Sequence, residues 1–272
     1  MRNIEIRVFQ IGQTQMNEDG VRQWLDHVGA PGCPVPEEMP TEGIPGLAAK
    51  RCYMSFEAGL NPNVTRVRKD WHDFFENILN SGHGSVLEHA SVTVAIEGVS
   101  RVFTGEMNRH RAGVAISEGS MRYIRFDDIP WWLPLSLRPG CDMLDDDSGE
   151  LDRRQAETRN AFDAVFEYVQ QTYTRLVDLW KLDESTDFGY KKKVTSMLRR
   201  IIPMGIATGG VWTMNFRALR HMITMRSDPA AEEEIAYVFG IIAKMMIEQF
   251  PNILCDFTQD ADGFWRPHYR KV

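Results

Sequence analysis

The sequence predicts a globular fold that mixes short strands with long amphipathic helices. Apolar and polar residues alternate at Ile4, Ile6 and Val8 and again at Val92, Val94 and Ile96, the period of half-buried strands. Helical spacing places Trp71, Phe74, Phe75 and Ile78 on one face, and two longer stretches downstream repeat it. With 272 residues the chain can bury a substantial core, as one large domain or two closely joined ones.

Composition removes several function classes. The 31 Lys plus Arg against 38 Asp plus Glu leave a net charge of -7, with no general electrostatic drive toward nucleic acid or an anionic membrane. Cys33, Cys52, Cys141 and Cys255 form no Cys-x-x-Cys pair, which argues for reduced thiols and against a zinc ribbon or a disulfide scaffold. The first residues lack a signal-peptide apolar core and no later apolar run is long enough to span a bilayer, so a cytoplasmic protein is expected.

In chain order, the strand at residues 4–8 comes first. Residues 29–46 hold five Pro and four Gly and read as a long loop, followed by a helical stretch over residues 47–56. The helix carrying Trp71 to Ile78 ends near Gly82. Next, His83, Glu88 and His89 have neither a His-Glu-x-x-His nor a zinc-finger spacing; they read as a polar turn beside the strand at Val92, and no metal is expected. Ser100 is placed to cap a helix with Val102, Phe103 and Met107 on its inner face. A strand after Tyr123 and a Pro-Trp-Trp-Leu-Pro loop lead into a linker over residues 127–150, acidic from Cys141 onward. Residues 152–182 form a long helix with Phe162, Val165, Phe166, Val169, Tyr173, Leu176 and Trp180 on its buried side. Residues 190–202 form another, stopped by Pro203 and Gly205. Residues 209–214 are extended, and Asn215 caps a helix with Leu219, Met222 and Ile223 inside and Arg217, Arg220, His221 and Arg226 projecting. Asp228 and Pro229 open the last helix, whose stripe of Ile235, Val238, Phe239, Ile242, Met245, Met246 and Phe250 is packing or a subunit contact.

The chemistry concentrates in residues 108–123. Arg109, His110 and Arg111 precede a small-residue segment, and a polar cluster from Ser117 to Ser120 leads to Arg122. Five Arg and one His lie between Arg101 and Arg125, against only Glu106 and Glu118. A local Arg excess in an acidic chain suits a small anionic ligand, because the planar guanidinium fork matches phosphate oxygens and a Gly-containing turn lets backbone N–H groups approach them. There is no GxGxxG or GxxxxGK[ST] phosphate loop, so Rossmann and P-loop chemistry are not expected.

Three separated segments together resemble the flavin-dependent thymidylate synthases. That family's Arg-His-Arg, spacer, Ser-x-Arg signature stands here as Arg109-His110-Arg111, Ser120 and Arg122; its upstream His-x-x-x-x-Glu-His element stands as His83 and Glu88-His89. Its downstream segments stand as Arg199 with Pro203, then residues 212–219 with Arg226 beyond. The resemblance covers most of residues 49–250 and leaves the preceding loop and the following tail unexplained.

The resemblance implies an α+β fold with a mixed sheet packed by long helices, assembled as a homotetramer with flavin and nucleotide at subunit interfaces. Ser85, Arg109, His110, Arg111, Asn215 and Arg217 would contact FAD, with His221 in the same shell. Glu118, Gly119, Ser120, Met121 and Arg122, with Arg109 and Arg199, would hold dUMP or UMP, and Arg226 would face the pyrimidine N3–O2 edge as the catalytic group. Methylenetetrahydrofolate would supply the carbon and NADPH the reducing equivalents, and no cysteine would attack the ring.

Three departures from the family bear on the acceptor. The spacer of residues 112–119 is one residue longer than usual, Glu106 stands where Gln is common, and His221 stands where Asn is common. Glu106 could accept from a ribose 2′-OH, which would favour UMP, or pair with Arg109 or Arg101 on its own helix. A non-catalytic nucleotide- or flavin-binding protein on the same fold is the alternative.

Overall fold

The computed structural model describes residues 4–126, 128, 130–141, 143–144 and 149–272. Its centre is a four-stranded sheet in the order β1-β2-β4-β3, where β1 is Arg7–Gln13, β2 Ser91–Ser100, β3 Val114–Glu118 and β4 Ala207–Asn215. Every pairing is antiparallel, so the mixed sheet that the resemblance implied is corrected. Val92, Val94 and Ile96 of β2 and Trp212 and Met214 of β4 are buried on one face, as strand alternation requires. On the other face Phe9 of β1 lies opposite Ala95 and is exposed.

Three helices lie against the buried face: α4 (Arg101–Met107), α7 (Phe216–Arg226) and α8 (Glu233–Gln249). Phe103, Leu219, Met222, Ile223, Val238, Phe239, Ile242 and Met246 join one cluster with the strands, so the apolar stripe of α8 is packing. Ser100 Oγ accepts from Val102 N at 3.0 Å, the expected cap. The last helix starts four residues later than Pro229, because the Glu232 carboxylate caps it through Glu234 N at 2.9 Å.

Elsewhere the boundaries moved where side chains compete with pattern. A helix α1 (Glu18–His27), capped by Asn17, has no counterpart in the expected elements. The loop at residues 29–46 is shorter than expected, since α2 (Gly43–Tyr53) begins inside it and ends before Phe56. α3 (Trp71–Asn80) matches its expected span. The first strand begins at Arg7, past Ile4, and the strand expected after Tyr123 is absent among the described residues there; the ladder lies earlier, at β3.

α5 (Leu151–Leu179) matches the long helix, and α6 (Phe188–Leu198) the next one, closing on a single 3-10 turn at Arg199–Ile201. The buried side of α5 is narrower than expected. Phe166, Tyr173 and Val177 pack with Trp131 and Phe126, whereas Phe162, Val165 and Trp180 stay exposed. The linker over residues 127–150 falls partly outside the described residues; within its described part Leu135–Leu137 form a 3-10 turn. No helix among the described residues is long and apolar enough to cross a membrane.

Candidate functional site

Two helix ends meet at one edge of the sheet. α4 finishes at Met107, and Arg109 N and His110 N still donate back to Glu106 O and Met107 O at 3.3 and 3.2 Å. That tight exit turns Arg109 outward, with 72% of its side chain exposed, and His110 inward. α7 is started by Asn215, whose Oδ1 accepts from Ala218 N at 2.8 Å, and runs to Arg226 at its last turn. Its C-terminus therefore faces the C-terminus of α4.

Arg226 is largely withdrawn from water, with 13% of its side chain exposed. Its Nε donates to His110 Nε2 at 2.8 Å, its Nη1 to Glu106 Oε2 at 2.9 Å and its Nη2 to Glu106 O at 3.3 Å. Three of five guanidinium N–H groups are thus used, leaving two for a ligand. Acceptance at Nε2 requires that nitrogen to be unprotonated. Burial, then the nearby Arg226 and His221, lowers the His110 pKa from 6.5 to about 4, so the ring is neutral at pH 7. Its ring centroid stands 6.1 Å from that of His221. Glu106 also meets Arg109 at 3.4 Å, while Arg101 pairs elsewhere. Of the two partners expected on its own helix, Glu106 takes Arg109, and it takes Arg226 as well.

The segment from Glu118 to Tyr123 is held at both ends. Glu118 is paired with Arg101 and accepts from Asn108 Nδ2 at 2.8 Å, while Trp212 Nε1 donates to Asn108 Oδ1 at 3.2 Å. Arg101 also donates to Gly119 O at 3.2 Å, and Gly119 N to Gly209 O at 2.9 Å. A Cβ at Gly119 would lie 2.9 Å from Thr208 Oγ1 and 3.3 Å from Ile124 Cδ1, so a side chain there would have to displace both. Beyond it, Ser120 O accepts from Tyr123 N and Ile124 N, both at 3.0 Å, and Met121 packs on the core under α5. The Tyr123 ring stacks on Phe188 of α6 at 6.0 Å, with Lys192 5.2 Å from its centroid. Lys192, by its hydrogen bond, holds the Tyr123 hydroxyl below its ordinary pKa. A cavity of about 460 Å³ opens beside this segment, lined by Arg101, Gly119, Met121, Ile124, Gly209 and Val211 among others.

A third group forms around the N-terminus of α7. Arg217 Nη1 meets Glu88 Oε1 at 2.5 Å, which ties α7 to the 3-10 turn Gly84–His89 that carries exposed Ser85. Gly113 has φ +71, and a Cβ there would lie 2.5 Å from Asn215 Nδ2. That position accepts only glycine, and it is where the Arg-His-Arg turn touches the helix cap. Arg111, Arg122 and Arg199 have no carboxylate partner among the described residues; Arg199 closes α6 and makes no hydrogen bond to the other site residues.

Sequence reasoning missed Arg101 and Asn108 as the partners of Glu118, and Phe188 and Lys192 as the support of Tyr123. Arg101 and Asn108 lie on or beside the helix that Ser100 was expected to cap, so a carboxylate and a cation near one turn were available signals. Phe188 and Lys192 had none. Arg220, expected to project, is instead 3% exposed and paired with buried Asp256.

An antiparallel sheet backed by helices, with a glycine turn pressed on a helix cap beside its last strand, is thus the fold that carries the expected site residues. The family model described as thymidylate synthase complementing protein matches residues 37–252, and the chain belongs to that family. It is 30% identical over 237 residues to the flavin-dependent thymidylate synthase of Mycobacterium avium (strain 104), covering 84% of this chain and 86% of the relative. It is 32% identical over 226 residues to that of Mycolicibacterium gilvum (strain PYR-GCK), covering 80% of each, and 28% identical over 228 residues to that of Corynebacterium diphtheriae, covering 82% of each.

Proposed function

We propose that the protein is a flavin-dependent enzyme that reductively methylates C5 of a uridine 5′-monophosphate nucleotide, dUMP or UMP. The observation that carries this reading is Arg226, held by neutral His110 and by Glu106 with two N–H groups still free. A guanidinium so fixed can meet two adjacent ring atoms and stabilise negative charge on a pyrimidine without reorganising.

The donor set fits FAD. Arg111 has no acidic partner among the described residues, and Arg217 and His221 lie one turn apart on the exposed face of α7. Arg109, His110 and Ser85 complete the proposed set. When bound, FAD supplies hydride chemistry, with NADPH as reductant and methylenetetrahydrofolate as carbon donor. The chain's own work is positioning: Glu118 and Gly119 anchor the loop, its Ser120 and Arg122 offer donors to phosphate, and Arg199 adds charge from α6. The Glu106 carboxylate holds Arg226 and Arg109 and keeps further lone pairs, so it stays a candidate acceptor for a sugar hydroxyl, and both dUMP and UMP remain candidate acceptors.

A homotetramer is part of the proposal. Phe9 and Ile11 on the open sheet face, and Phe162, Val165, Tyr168 and Leu179 along α5, are exposed apolar side chains of the kind a subunit interface covers. The test supplies methylenetetrahydrofolate and NADPH with dUMP, UMP or dCMP and identifies the product by mass, with sedimentation giving the assembly. A methylated uridylate is expected; flavin binding with no methylated product from any acceptor would leave a binding protein.

A further inference from the structure

The segment beyond residue 252 lies outside the family match, yet it is firmly tied to the core. Buried Arg220 donates from Nη1 to Ile253 O at 2.8 Å and to Asp256 Oδ1 at 2.6 Å, and from Nη2 to Asp256 Oδ2 at 2.9 Å. Asp256 in turn accepts Tyr269 N at 3.1 Å through Oδ2, and its carbonyl accepts His268 N at 2.9 Å. One ion pair therefore pins both ends of the hairpin formed by β5 (Phe257–Gln259) and β6 (Trp265–Pro267). Ser227 Oγ bonds Trp265 O at 3.2 Å, and Arg266 meets Asp228 at 2.8 Å.

Past Tyr269 the chain crosses the turn that opens the Ser85 segment. A Cβ at Gly82 would lie 3.6 Å from Lys271 O. At Gly84 it would lie 2.7 Å from Val272 C and 3.3 Å from Arg217 Nε. The tail, the turn and the Arg217 guanidinium thus converge on one point, and the missing side chain of Gly84 is what lets them. Arg270 and Lys271 are exposed there and have no carboxylate partner among the described residues, while Glu88 is already committed to Arg217.

We infer that this C-terminal strap completes the anion site at Ser85 and Arg217 by adding Arg270 and Lys271 as further cations for the diphosphate of a bound dinucleotide. The inference rests on the reading that flavin adenine dinucleotide lies at that turn. It gives the tail a binding role, with the Arg220–Asp256 pair as the anchor that holds it in register.

The test measures affinity for FAD and for riboflavin in the wild-type protein and in the double variant Arg270→Ala/Lys271→Ala, at low and high salt. Exposed cations act modestly, so FAD binding is expected to weaken roughly three- to tenfold at low salt. The difference should vanish near 1 M salt, and riboflavin, which lacks the diphosphate, should bind both proteins alike. Thermal midpoints should match, because every anchoring bond precedes residue 270. A chain ending after Tyr269 should lose FAD affinity at least as far, and, because Val272 packs on the main core, its thermal midpoint should also fall. Equal FAD affinity in wild type and double variant overturns the inference, and tighter binding by the shortened chain does so too, since the tail would then be an obstruction. If the wild-type protein binds no FAD, the functional reading itself fails; inorganic pyrophosphate then serves as the probe, with weaker binding by the double variant expected and equal binding overturning the strap.

Discussion

The arginines of the site divide into two regions in opposite states. Around Arg226 the guanidinium is largely withdrawn from water and its direction is set by His110 and Glu106; around the Ser120 turn Arg122 is exposed and, like Arg111 and Arg199, has no carboxylate partner among the described residues. The first region has its orientation fixed before any ligand arrives. The second keeps its donors available and must lose side-chain freedom when it binds. Pre-set donors serve transition-state charge, whereas free ones serve ground-state affinity. Substitutions in the two regions should therefore separate into effects on turnover and effects on binding.

The largest effect is expected from Arg226→Lys. Lysine keeps the charge but cannot donate at once to His110, to Glu106 and to two ring atoms, so turnover should fall about 100-fold or more with FAD affinity within a few-fold. Steady-state kinetics with a flavin titration checks it, and unchanged turnover would move Arg226 away from the base. Next is Arg220→Met, which tests a buried arginine outside both regions. It leaves Asp256 charged and unpaired, and a loss of about 3–5 kcal/mol in unfolding free energy is expected in urea; a loss near zero would mean that Asp256 finds another partner. Arg122→Ala belongs to the free region. It should raise KM for the nucleotide roughly tenfold while kcat stays within a few-fold, the reverse split from Arg226→Lys.

Acid should disturb the pre-set region through His110. The folded-state pKa of His110 is depressed from 6.5 to about 4, so its contribution to stability is complete above 6.5 and is lost as pH falls through 4. Protonation also puts a second donor against Arg226 Nε. A proton NMR titration of the His110 ring should have its midpoint near 4, and a midpoint at the ordinary value would show that Arg226 is not held there. The smallest effect is expected at the thiols. Burial raises the pKa of Cys33 and brings that of Cys255 to about 11, so neither supplies a thiolate at neutral pH. Single replacement of Cys33, Cys52, Cys141 or Cys255 by Ala should leave turnover within a few-fold; abolition by any one of them, with folding and flavin binding intact, would restore a covalent route.

Legibility followed the same division. Strands and helices whose alternation is driven by the core, such as β2 and α8, could be read because apolar burial dominates them. The motif residues could be read because their order along the chain is itself a pattern. What could not be read are pairings between distant side chains, such as Glu106 with Arg226 or Arg220 with Asp256, since a charge in a sequence looks alike whether exposed or buried. The apolar side of α5 was misjudged for a related reason: helical spacing identifies a stripe but says nothing of whether this chain or another covers it. α1 escaped notice because its start depends on one capping side chain, Asn17, ahead of a polar helix with Leu25 as its one buried residue.

The longer spacer acquires a meaning from strand arithmetic. Residues 112–119 contain β3, whose side chains alternate so that Val114, Ile116 and Glu118 point one way and Ala115 and Ser117 the other. An extra residue inside the ladder would turn every later side chain over, and Glu118 would lose Arg101 and Asn108. Length can change here only outside the ladder, at the Ala112–Gly113 turn or at Gly119, or by an even number of residues within it. β3 is a terminal strand of its sheet, with only β4 beside it, so such a change need not be matched by a second neighbour. The sheet margin is thus the place where a lineage could alter the reach of the Ser120 turn toward its ligand while leaving the interior untouched.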